Sequence, residues 1–222
     1  MTGPTSEAVE AKWLEIAPFI DRLAERVADR DDFVVEPNSP LAQDDAATSP
    51  YHLSHCLRMC ITAGVDHLSA IKQLIIDGQV LHVSAPFTLA RGALEVLSAA
   101  YWILHPDSQT ERIQRVLRWH AKNFNDQHTA LSAAGVEQSP TRNEKLRKLY
   151  TIADTRSIPH SRVKTGYTSS DAVRYADERS SVSVLFAWQL CSGFAHGRPW
   201  RLWVHRHKNG LIPRTQTFNS SA

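Results

Sequence analysis

Two charged residues, Arg91 and Glu95, stand alone in an otherwise uncharged stretch from Ser84 to Leu104. Four positions apart, they leave the same face of one helix. A charged pair on a helix that must be buried needs each charge matched, with further hydrogen-bond partners from neighbouring helices. Ser192 and His196, also four apart, share a face of a later helix, and His67 lies in the apolar arc of an earlier one. A guanidinium, carboxylate, hydroxyl and imidazole in one pocket can steady anionic charge and move a proton without metal, with His196 handling the proton and Arg91 the charge. Arg91, Glu95, Ser192 and His196 are therefore the candidate catalytic group. The same residues also read as a brace that fixes helix packing, with His196 capping the last carbonyls of its helix.

Further along, Arg112, Arg115, Arg118 and Lys122 recur at helical steps as a basic stripe, while Arg198, Trp200, Arg201, Trp203, Arg206 and Lys208 interleave cations with indoles. Such surfaces suit phosphates and stacked bases, which makes Arg112, Arg115, Arg198 and Arg201 candidate anion contacts. A solvated helix face and an aromatic oligomer interface are the other readings. His52, Cys56 and Cys60 share a helix edge, with His55 beside them. Metal sites favour ligands from loops or from two elements, and small thiols on an apolar stripe belong to a core, so neither metal nor cofactor is expected. The sequence has no P-loop, dinucleotide fingerprint, nucleophile elbow or zinc-protease helix. Any catalytic group must therefore be assembled from distant helices.

Composition bounds the rest. The chain has 222 residues, 42% of them hydrophobic and 22% charged, as in ordinary globular proteins. A single domain is expected at this length. Net charge is −7 over residues 1–50 and +4 over 51–197, with five more bases in the tail. No run of about 18 apolar residues exists, and the first ten residues lack a basic, apolar leader, so neither a membrane span nor a signal peptide is expected. With three cysteines and no disulfide framework, a cytoplasmic location follows as the expectation.

The periodicity predicts about five or six helices. The first spans about Ser6 to Arg30, bent or split at Pro18, and packs with a surface connection (31–49) on the remainder. The core, 50–197, opens with a helix from Pro50, capped by Ser49, to Gly78. A central apolar helix runs from Ser84 to Leu104, followed by helices from Asp107 to Ala134 and from Ser139 to Ala153. The last begins near Ser170 and ends at Gly197. Asn209-Gly210 between apolar runs predicts a short β-hairpin within a basic aromatic tail, 198–222.

Arg91-x3-Glu95 in an apolar helix ending Tyr101-Trp102, followed by Ser192-x3-His196-Gly197, resembles HEPN-type helical domains over roughly residues 50–200. That resemblance implies an all-α, up-and-down bundle of four or five helices that often dimerises. The superfamily contains RNA-cleaving toxins and phage-defence nucleases alongside non-catalytic members. The expectation is a homodimeric, RNA-associated or defence-type module, with metal-independent ribonuclease chemistry or a non-catalytic interaction role. Nuclease members carry Arg-x4-6-His on a late helix. This chain has that spacing at Arg115–His120, Arg198–His205 and Arg201–His207, none within the sixth helix, and Val116 follows Arg115 where a polar residue is usual. About three such matches arise by chance in this composition.

Overall fold

The computed structural model describes residues 6–29, 31–80, 82–137 and 139–200. Among these, every regular element is a helix. The hairpin expected at Asn209-Gly210, and with it Arg201, lies outside the described residues.

The elements are α1 (Ser6–Ala28), α2 (Pro40–Thr48), α3 (Leu53–Lys72), α4 (Ala85–Leu104), α5 (Gln109–Ala133), α6 (Arg142–Asp154), α7 (His160–Lys164), α8 (Ser169–Asp177) and α9 (Val184–Ala195), with a π-helical turn, Gln73–Asp77, continuing α3. α1 continues through Pro18 instead of splitting there. It packs on α3, and burial of Ala17 and Ile20 holds the helix across the hydrogen bond that proline removes.

Among the described residues nine α-helices replace the five or six expected, for three local reasons. α2 falls inside the supposed surface connection: Ser39 Oγ accepts the Ala42 N–H at 3.1 Å with Pro40 in the first turn. The same Ser-Pro signal at Ser49-Pro50 starts nothing. Tyr51 N–H bonds back to Thr48 O in a turn, and α3 begins at Leu53, where Asp45 Oδ1 accepts the Ser54 N–H at 2.8 Å. The loop before residue 170 holds the single-turn α7. The long sixth helix is two, because Ser180 Oγ takes the Val182 N–H locally, while Asp177 Oδ1 accepts the Leu185 N–H and starts α9 afresh.

Apolar residues fill two clusters. One joins Leu53, Cys56, Leu57 and Cys60 of α3 to Ala99, Trp102 and Ile103 of α4. The other joins Ile113, Leu117 and Phe124 of α5 to Leu146 and Leu149 of α6 and Val163 of α7. α5 ties them together, since Val116 belongs to the first cluster. Cys56 and Cys60 are free thiols inside that core, and burial pushes the Cys56 thiol well above its ordinary value.

α4 is central, packed by α3, α5, α8 and α9. α3 with its π-helical turn and α4 are each long and apolar enough to cross a membrane by length and composition; in the fold they pack on each other. The approach is close. His67 of α3 lies over Gly92 of α4, where an added Cβ would sit 2.5 Å from its Nε2.

Candidate functional site

α4 and α9 run antiparallel. Phe87 stacks on Phe194 with ring centroids 3.8 Å apart, and two turns along, Trp188 Nε1–H donates to Glu95 Oε1 at 2.9 Å. Phe87, Arg91 and Glu95 form one row, so Arg91 lies between these two contacts. Its Nη2 donates to the same Glu95 oxygen at 2.8 Å. One carboxylate oxygen thus binds a guanidinium and an indole from two helices.

The pair is not sealed, because the Arg91 and Glu95 side chains keep 30% and 23% of their exposure. Arg91 Nε, by contrast, is buried without a hydrogen-bond partner. Glu95→Ala would strand the Arg91 charge and the Trp188 N–H together. The expected loss is about 2 kcal/mol, or roughly 4–8 °C in Tm for a chain of this size. Thermal unfolding checks this, and a change below about 0.5 kcal/mol would show that the brace contributes nothing.

Trp188, Ser192 and His196 continue along α9 at four-residue spacing. His196 closes the helix in a Schellman motif: Arg198 N–H donates to Gly193 O at 2.9 Å, and Gly197 N–H to Phe194 O at 3.2 Å. The motif needs a left-handed residue after the cap, supplied by Gly197 at φ 64°. The chain then folds back, and Trp200 lies on bare Gly193, where an added Cβ would meet Cζ2 at 2.6 Å.

Trp188, Gln189, Ser192, Gly193, His196, Arg198 and Trp200 frame a shallow, open groove of about 390 Å³. His196, Arg198 and Trp200 are exposed, and Ser192 Oγ is buried without a hydrogen-bond partner. Among the described residues no carboxylate lines the groove.

The four candidate residues therefore converge only in part. Arg91 and Glu95 form a brace behind the groove, Ser192 and His196 line it, and Trp188 belongs to both. Trp188 escaped the sequence reading, although its spacing from Ser192 and His196 places it on their face. No hydrogen bond joins Ser192 to His196, so this hydroxyl is not set up as a nucleophile. The groove's lining offers indole rings that can stack and a guanidinium and an imidazole that can meet an anion.

The four candidate anion contacts separate. Arg198 lines the groove. Arg112 is taken up internally, pairing with Asp44 and donating to the Pro106 and Asp107 carbonyls. Arg115 is buried, lying over the rings of Trp102 and Tyr175 and paired with Glu111. At these two positions the basic stripe is part of the packing. Arg118 likewise donates to Gly166 O at 2.6 Å. His52, Cys56 and Cys60 do not join in a three-ligand group, and no other such group occurs among the described residues.

No protein family model matches the chain, and no curated protein or solved structure matches it either.

Proposed function

We propose that this chain is an RNA-binding helical module that holds single-stranded RNA in the α9 groove. The observation that carries this reading is the groove's lining: Trp188, His196, Arg198 and Trp200 in one open depression without a carboxylate. Unstacked bases have faces that lie on indoles, and phosphates take the guanidinium and the imidazole. The bases of residues 201–222 follow directly in sequence and add positive charge. The choice of RNA comes from the HEPN resemblance. In this reading the Arg91–Glu95–Trp188 brace holds the groove's inner wall and touches no phosphate.

The test is fluorescence anisotropy with a labelled oligouridine. Trp200→Ala and Arg198→Glu are each expected to weaken binding about tenfold, since one base–aromatic stack contributes roughly 1–3 kcal/mol. Affinity should fall as salt rises. Wild-type affinity in both variants would reject the groove as the contact surface. Cleavage of the same oligonucleotide, lost in His196→Ala, would carry the reading on to ribonuclease chemistry.

A further inference from the structure

A second cavity, of about 320 Å³, lies where the end of α1, segment 31–35, α2, α3 and the end of α4 meet. It shares no lining residue with the α9 groove. Its walls are apolar, formed by Phe33, Leu41, Leu57, Ile61 and Leu104 among others. One edge is polar. Ser54, Arg58 and Thr62 fall at four-residue steps along α3, with His55 beside them, and all four side chains can donate hydrogen bonds. Arg58 and His55 line the cavity and no acidic residue does. The lining is thus one-sided in shape, and its side chains able to carry charge, Arg58 and His55, are basic.

The wall that closes it is held in an unusual conformation. Phe33 has φ 61°, a left-handed value that a bulky residue rarely adopts. Its surroundings fix it there. Arg26 lies over the ring at 4.8 Å and grips the Asp32 carboxylate with two bonds of 2.7 and 3.0 Å, while the Phe33 N–H donates to the same carboxylate at 2.7 Å. From the other side, Arg58 donates to the Asp29 and Asp32 carbonyls, tying the segment to α3. Backbone strain held this firmly gathers at ligand clamps and active sites.

We propose that this cavity is a binding site for a small monocarboxylate with a compact apolar body. The body would lie against Phe33, Leu57 and Ile61, and the carboxylate would face the donor row of α3. Ligand sites run from roughly 300 to 1,000 Å³, which places this cavity at the small end and favours a short chain. The cationic edge selects a carboxylate over an amine, and the donor row selects it over a neutral alcohol.

The probes are octanoate and octan-1-ol, titrated calorimetrically into the full chain. Octanoate is expected to bind saturably, one molecule per chain, and octanol about tenfold or more weakly. Leu104 is half-exposed at the rim and His55 is exposed, so Leu104→Trp and His55→Glu leave the core alone. Leu104→Trp should block the mouth and His55→Glu should oppose the head group, each weakening octanoate about tenfold or more. Circular dichroism confirms that each variant is folded. Absence of saturable octanoate binding, octanol binding as tightly, or wild-type octanoate affinity in both folded variants would each overturn the proposal. None of these results depends on whether the α9 groove binds RNA.

Discussion

Asp44→Ala is expected to lower stability by roughly 3–5 kcal/mol, a fall in Tm of roughly 6–20 °C. Asp44 is only 1% exposed, and both its oxygens accept from Arg112, Nε to Oδ2 at 2.6 Å and Nη2 to Oδ1 at 3.2 Å. Arg112 is itself largely covered, its side chain 12% exposed, and it fixes the turn before α5 through the Pro106 and Asp107 carbonyls, each at 2.8 Å. Without the carboxylate, a guanidinium stays inside the protein uncompensated. Asp44 also anchors α2 between α3 and α5, so the loss spreads to the contact that seats the N-terminal segment on the bundle. Replacing both partners by leucine should recover part of the loss, because two apolar groups leave no stranded charge. Denaturant unfolding of the single and double variants measures both values. An Asp44→Ala protein within about 1 kcal/mol of wild type would show that the pair is not the internal clamp described here.

The second large effect is an acid lability traced to His120. Its ring lies among Tyr51, Trp119 and Phe124, with centroids 5.1, 5.0 and 6.0 Å away, and Nε2 is buried without a hydrogen-bond partner. Burial therefore disfavours the imidazolium and lowers the pKa from its ordinary 6.5 to about 4. Between these values the unfolded chain binds a proton that the folded chain does not. The contribution of neutral His120 is then complete above pH 6.5 and is lost as pH falls toward about 4. In full it amounts to about 3 kcal/mol. His120→Phe should remove this component, so the stability difference between variant and wild type should shift in the variant's favour by that amount between neutral and acid pH. Parallel pH profiles for the two proteins would contradict the assignment.

The sequence made the helical class legible, along with the central position of α4, because a run of about 20 residues with no charges but Arg91 and Glu95 can hide its surface only inside a bundle. The helix ends expected at Ala134 and Gly197 were visible as well, since Gly135 and Gly197 supply the left-handed backbone that closes each helix. The short helices were not legible. α2 and α7 lack the length for a periodic signal, and the break between α8 and α9 depends on Asp177 reaching the Leu185 N–H. The start of α3 failed for a similar reason, because its cap comes from Asp45, outside its own sequence neighbourhood.

For the site, the spacing put Arg91 with Glu95 on one face of α4 and Ser192 with His196 on one face of α9. It could not show that Arg91 and Glu95 turn toward Trp188 while Ser192 and His196 open into a groove. Nor could it divide the arginines. Arg112, Arg115 and Arg198 are alike as residues, and only tertiary packing leaves Arg198 exposed while the other two pair with Asp44 and Glu111. Internal pairing of this kind depends on residues far apart in sequence, which periodicity does not register.

The RNA reading meets its most direct test in ultraviolet cross-linking of bound oligouridine, followed by peptide mapping. Adducts are expected on Trp188, His196 or Trp200, within the peptide that spans α9 and its return turn. Adducts confined to α5 or α6, with none between residues 184 and 200, would place the nucleic acid elsewhere and contradict the groove.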